Sequence, residues 1–228
     1  MRKKYIRSNQ FKPIFVHDSE AILTTLAKAS DDGILSRKQS PLVCFDTIKL
    51  THLKPSIISA IMRVIHSRKP IKCQYESIRS GSSTRTLLPH TIVNNGHRWH
   101  VRAFDRKTEC FRDFICSRFT SIKQLDSSIL EHETHSKYHE WNNIIELHII
   151  PNPSIKHSKA IELDYNMDKG MLTLEVRSAI AGYLLRQWNV DCSTNVELNG
   201  AEYQLRLENT NILQGCSSAS VTPGFKDT

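Results

Sequence analysis

At Ile71 the spacing of apolar residues changes, and that change limits the folds open to this chain more than any other feature. Upstream, Ile57, Ile58, Ile61, Val64 and Ile65 recur at three- and four-residue intervals after Pro55, which predicts a helix opened by the proline and ended by "HSRKP". Downstream the period becomes two. "IKCQYES", "TRTLLPHTIV", "HRWHVRAF", "CFRDFIC" and "FTSIKQL" predict five short strands separated by turn signals, the pattern of a small β-barrel. Asn95 and Gly96 both tolerate positive φ and predict a type I′ hairpin, while Pro89 demands an edge or a bulge.

A second change follows residue 127, through the His-rich linker "HETHSKYHEW". Beyond it "IIELHII", "MLTLEVR" and "EYQLRL" alternate. A short helix is expected at 154–163, and "SAIAGYLLRQW" sets Ile180, Ala181, Leu184, Leu185 and Trp188 on one helical face. The order strand, helix, strand, helix, strand predicts a small α+β domain with its helices over one side of the sheet. At the other end, residues 1–12 suggest a strand closed by Pro13, and Asp18 caps a helix that finishes before Gly33. The expected divisions are therefore 1–54 as an N-terminal helical linker, 55–127 as the barrel, 128–210 as the α+β domain and 211–228 as a disordered tail. The tail follows from its run of small and polar residues.

Charge separates these regions. Residues 1–70 hold 13 Lys and Arg against 5 Asp and Glu, residues 71–126 hold 10 against 5, and residues 127–228 hold 8 against 13. A positive field over the first half raises the local concentration of polyanions, so a nucleotide or nucleic acid is the partner class to test first. A solvated basic surface is the competing reading. No apolar run approaches the ~20 residues of a membrane helix, and no secretory segment follows the basic start, so the expected location is the cytoplasm. Six scattered cysteines suit reduced thiols.

The strands following Gly96 carry the candidate chemistry. Alternation from the turn places Trp99, Val101 and Ala103 in the core and Arg98, His100 and Arg102 on the opposite face. If "DRKT" is a four-residue loop, Phe104 faces Glu109, His100 pairs with Asp113, Arg102 with Phe111, and Trp99 with Phe114. Asp113 would then favour protonated His100, and the Phe111 ring would support Arg102. Together with Arg85, Arg112 and Arg118 this forms a cationic shelf on a rigid sheet. Like charges so placed cost free energy unless something neutralises them, and a bound anion could.

Here the residues resemble a known family. "CQYES", Arg85, "LLPH", "RWHVRAFD", "FRDF" and "SRF" are similar to the WYL domain of bacterial transcriptional regulators, with His100 and Val101 standing where the family name has Tyr and Leu. "EWNNIIELHIIPNPSIKHSKAIELDYNM" through "YLLRQW" resembles the WYL C-terminal extension domain of regulators encoded beside phage-defence operons. The resemblance implies an Sm-like (SH3-like) barrel that binds a nucleotide or single-stranded nucleic-acid effector, and an extension domain that forms a homodimer. By motif position the effector site comprises Arg85, His90, His100, Arg102, Arg112 and Arg118, with Asp113 beside them and Trp99 to stack. The strand in residues 1–12 corresponds to the end of a winged helix-turn-helix. Operator binding is expected only where that domain is supplied, because no recognition helix is otherwise present.

Other constellations weigh less. His132, His135 and His139 would share a helical face, yet no carboxylate or thiol spacing completes a zinc set, so neither metal nor cofactor is expected. No nucleophile elbow or Gly-rich phosphate loop suggests an enzyme. A stand-alone single-stranded nucleic-acid-binding protein is the alternative to a regulator.

Overall fold

The computed structural model describes residues 51–226. The strand expected in 1–12, the helix after Asp18 and the connection through residue 50 lie outside the described residues. Helix α1 (Pro55–Ser67) begins on its proline and stops where Arg68 turns left-handed (φ 50°), which returns the Arg68 and Lys69 N–H groups to the carbonyls of Ile65 and Val64. The predicted stripe buries Ile57, Ile61 and Val64.

Five antiparallel strands follow: β1 (Ile71–Ser77), β2 (Gly81–Asn94), β3 (Trp99–Asp105), β4 (Cys110–Ile115) and β5 (Phe119–Gln124). Their order is β4-β3-β2-β1-β5. Helix α1 covers one face through Ile71, Cys73, Leu87, Val101, Ala103, Phe114 and Phe119, and each large side chain so buried contributes roughly 1.5–3 kcal/mol. A 3-10 turn (Cys116–Arg118) joins β4 to β5, and the two do not pair. The sheet of the expected small barrel therefore does not close between β4 and β5. The Tyr75 hydroxyl accepts the Ile115 N–H at 3.0 Å, doing for the end of β4 what a sixth strand would have done.

The register of β3 against β4 corrects the expected one. Asp105 pairs with Cys110, Arg102 with Asp113, Val101 with Phe114 and His100 with Ile115, a shift of two that keeps every side chain on its face but changes its partner. The cause is Asp105, whose carboxylate accepts the Lys107 N–H at 3.0 Å and the Thr108 hydroxyl at 3.1 Å. These bonds move the loop one residue on, to 106–109, with Glu109 at φ 52°. At the other hairpin the tip residues are Gly96 and His97, and only Gly96 has positive φ (85°), so it is not the expected type I′ turn. Pro89 produces the bulge: pairing slips between Pro89 and Thr91.

The second sheet contains β6 (Ile144–Pro151), β7 (Leu172–Arg177), β8 (Val190–Asp191) and β9 (Leu205–Leu207) in the order β7-β6-β9-β8, with β8 and β9 parallel. Short helices α2 (His139–Asn142) and α3 (Lys159–Asp164) precede α4 (Ser178–Gln187). Ile145, Leu147 and Ile149 pack against Ala181 and Leu185 of α4. The molecule is a mixed α+β structure of two sheets and few helices. None of the described helices is long and apolar enough to cross a membrane.

The segment after 210 is not the expected disordered tail. Two 3-10 turns, Thr210–Leu213 and Ser217–Val221, bury Leu213 and Ala219 in the second core. The Gly182 N–H donates to Ser218 Oγ at 3.1 Å, and that hydroxyl donates to the Ser178 carbonyl at 2.9 Å. A Cβ at Gly182 would lie 1.8 Å from the Ser218 carbonyl oxygen. Small residues permit this close backbone approach, so a composition that suggests disorder here serves packing.

Candidate functional site

Four consecutive residues of β4, Arg112 to Ile115, line a groove of about 640 Å³. They alternate between the faces of the sheet, so the groove follows the unpaired edge of the strand. Tyr75, Ser77, Arg79, Arg85, His100, Arg118 and Tyr183 are among its other lining residues. Five of the sequence-predicted residues therefore meet here: Arg85, His100, Arg112, Asp113 and Arg118.

Their charges are handled unequally. Arg85 Nη1 donates to Asp105 Oδ2 at 2.7 Å, where the carboxylate is fully buried. Among the described residues, no carboxylate lies within ion-pair distance of Arg79, Arg112 or Arg118. Among the described residues one carboxylate lines the groove, Asp113; its Oδ2 is paired and its Oδ1 is buried without a hydrogen-bond partner.

Its partner is Arg102, which the structure removes from the ligand-facing set. Arg102 is 3% exposed. Nη1 donates to Asp113 Oδ2 at 3.1 Å and to the Ala179 carbonyl at 3.0 Å, and Nη2 donates to the Tyr138 hydroxyl. Its guanidinium carbon lies 5.3 Å from the Tyr138 ring centroid and 5.6 Å from that of Trp141. Those rings replace Phe111, which instead stacks on Tyr138 at 4.2 Å. Arg102 thus fastens the first sheet to the linker and to the start of α4. Burial raises the Asp113 carboxyl above its ordinary 3.8, and the neighbouring Arg102 only partly offsets this.

His100 also departs from expectation. It faces Ile115 rather than Asp113, with its ring 5.8 Å from that of Tyr183. Burial, then the field of Arg98, Arg102 and Arg118, lowers its pKa to about 4, so the imidazole is neutral at pH 7. His90, also expected in the effector site, does not line the groove and lies 5.3 Å from Trp141 and 5.9 Å from both Tyr138 and Phe111. Burial, and then Arg102 and His135, lower its pKa to about 3. Trp99 is 41% exposed and absent from both the core and the groove lining, because it sits at the hairpin end of β3, outside the apolar cluster.

The linker is strapped down by a buried carboxylate. Arg106 Nε and Nη2 donate to Glu133 at 2.6 and 2.7 Å, and the Leu130 N–H adds a bond at 2.9 Å. Burial alone would raise the Glu133 carboxyl, but these donors hold it below 4.5. The linker histidines are used separately, His132 against Phe104 and His135 against His90. Sequence reasoning missed Arg79 and Tyr183. Arg79 sits in a turn without periodicity, whereas Tyr183 and Arg186, one helical turn apart, offered a signal of a shared face.

Comparison with known proteins agrees with this architecture. Residues 56–124 match the WYL domain family, and residues 144–213 match the family described as "BrxR transcriptional regulator, C-terminal dimerization domain". The DNA-binding transcriptional repressor CapW of Escherichia coli (strain KTE188) is 31% identical over 200 residues, covering 83% of this chain and 66% of that protein. CapW of Pseudomonas aeruginosa is 31% identical over 156 residues, covering 67% and 51%. CapW of Stenotrophomonas maltophilia is 28% identical over 204 residues, covering 82% and 64%. The chain thus spans about two thirds of these relatives or less. The second matched family is that of a transcriptional regulator, and the relatives are transcriptional repressors. The chain belongs to the WYL-domain regulators and carries, after its WYL domain, a C-terminal dimerization domain of the BrxR type.

Proposed function

We propose that this chain is the effector-sensing and dimerization part of a cytoplasmic transcriptional regulator from a phage-defence setting, and that its effector is a phosphate-bearing nucleotide or single-stranded nucleic acid. The observation that carries the reading is selective neutralisation. Arg85, Arg102 and Arg106 each have a carboxylate, whereas Arg79, Arg112 and Arg118 border one groove with none among the described residues. Guanidinium groups are well matched to phosphate through paired N–H donors, and each such charged bond contributes about 1.5–3 kcal/mol.

The first sheet is proposed to be Sm-like: its strand order and the 3-10 turn before β5 suit such a barrel left open beside β4. Residues 55–127 are proposed as the first domain, and the second runs from 128 past the expected end at 210, because Leu213 and Ala219 lie in its core. The second forms a homodimer, and effector binding shifts that dimer between two arrangements. Operator DNA is contacted only where a winged helix-turn-helix is supplied; the CapW relatives are DNA-binding transcriptional repressors.

The test is fluorescence anisotropy of the full chain with a labelled 5′-phosphorylated oligothymidylate. Wild type binds, and Arg112→Ala and Arg118→Ala each weaken binding tenfold or more while circular dichroism is unchanged. No binding by wild type, or equal binding by both variants, refutes the reading.

A further inference from the structure

We propose that a cavity between the β2–β3 hairpin and α4 is a second phosphate subsite, so that the effector is a single-stranded oligonucleotide of at least two nucleotides gripped by both domains. This rests on the reading above and narrows it. The cavity, about 430 Å³, abuts the basic groove, and the two share His100, Ile115 and Tyr183 as a common wall. Each compartment alone falls in the range of small-ligand sites, about 300–1,000 Å³. Two in series suit a ligand with repeated units.

Cations line the second compartment as well. Arg98 enters from the hairpin and Arg186 from α4, no carboxylate contributes to the lining, and neither Arg is ion-paired among the described residues. The partition between the compartments is aromatic. The His100 and Tyr183 rings, tilted by 32°, offer π surfaces on which bases stack without regard to sequence. Charge on either side of a stacking wall is the arrangement that a sugar-phosphate chain with intervening bases requires. Arg98 lines one compartment and Arg118 the other, and both act on the His100 imidazole, whose pKa is lowered first by burial.

The hairpin tip fits the helix closely: a Cβ at Gly96 would fall 2.3 Å from the Gln187 side chain of α4. A ligand contacting Arg98 and Arg186 therefore ties the effector-sensing sheet to a helix of the dimerization domain.

The test compares 5′-phosphorylated thymidine mono-, di- and tetranucleotides by calorimetry on the full chain, using wild type, Arg186→Ala and Arg186→Glu. Arg186 is exposed, so neither variant disturbs packing. Wild type binds the tetranucleotide at least tenfold more tightly than the mononucleotide. Arg186→Ala removes most of that gain and leaves mononucleotide affinity unchanged, Arg186→Glu removes all of it, and the salt slope for the tetranucleotide falls by about 0.7. Affinity independent of length, wild-type tetranucleotide binding by both variants, or an equal loss for the mononucleotide would overturn the second subsite while leaving the first. Failure of all three ligands to bind wild type would overturn both.

Discussion

Arginines that look alike in the sequence have opposite physical roles, and the difference is measurable. Arg102→Ala strands a buried carboxylate, a phenol and the Ala179 carbonyl, and is expected to cost about 3–5 kcal/mol in urea denaturation. Arg112→Ala, exposed and without a carboxylate among the described residues, is expected to change stability by no more than about 0.5 kcal/mol while removing affinity. Equal stability losses would show the assignment to be mistaken. The alternation of "RWHVRAF" made the face of Arg102 legible, but whether that face meets solvent or a second domain depends on Tyr138 and α4, far along the chain. His90 and His100 carry a second prediction. Both are held below the ordinary 6.5, at about 3 and about 4, so from pH 6.5 down to about 4 for His100 and about 3 for His90 the unfolded chain binds more protons than the folded one. Their stabilising contribution is complete above pH 6.5 and declines as pH falls through that window. An anion in the groove favours the imidazolium, so ligand should raise the His100 pKa. Histidine proton shifts with and without oligothymidylate check this, and an unchanged or lowered value would count against an anion beside His100.

Among the elements, the period change at Ile71 made α1 and all five strands legible, because alternation and helical spacing are local consequences of burial. Register was not legible. It depends on side-chain bonds inside a turn, and Asp105 moved the β3–β4 loop by one residue. The segment after 210 was missed for a related reason: its value lies in smallness against a glycine of α4. Gly182→Ala is therefore expected to destabilise the protein by about 1–3 kcal/mol or more and to expose residues 210–221 to protease, since the added carbon meets backbone rather than a flexible side chain. Thermal melting and limited proteolysis measure this. A neutral substitution would mean that the segment does not rest on α4. The linker gives a milder case. Glu133→Gln removes a charge from two Arg106 bonds and should cost about 1–2 kcal/mol, less than Arg102→Ala because Arg106 can turn to water.

At the scale of the molecule, the buried attachments run through one region. Arg102 joins the first sheet to α4, Arg106 holds the linker, and Arg177 donates to the Trp141 carbonyl while lying 4.8 Å over its ring. The basic groove opens beside this junction, sharing Asp113 and Tyr183 with it. A ligand that draws on Arg112 and Arg118 thus acts next to the contacts that set how the two sheets meet, which is where a sensor coupled to a dimer needs its site. The net positive half of the sequence named a partner class to test, but not which cations remain without a carboxylate, because ion pairing is a property of the folded contact map. The central claim is that those cations are kept for a phosphate guest. Native mass spectrometry of the full chain, purified from its source, tests it most directly. The account predicts a wild-type protein carrying a nucleotide or oligonucleotide mass that is lost from the Arg112→Ala/Arg118→Ala double variant, whereas a bare wild type, or an adduct retained by the double variant, would contradict it.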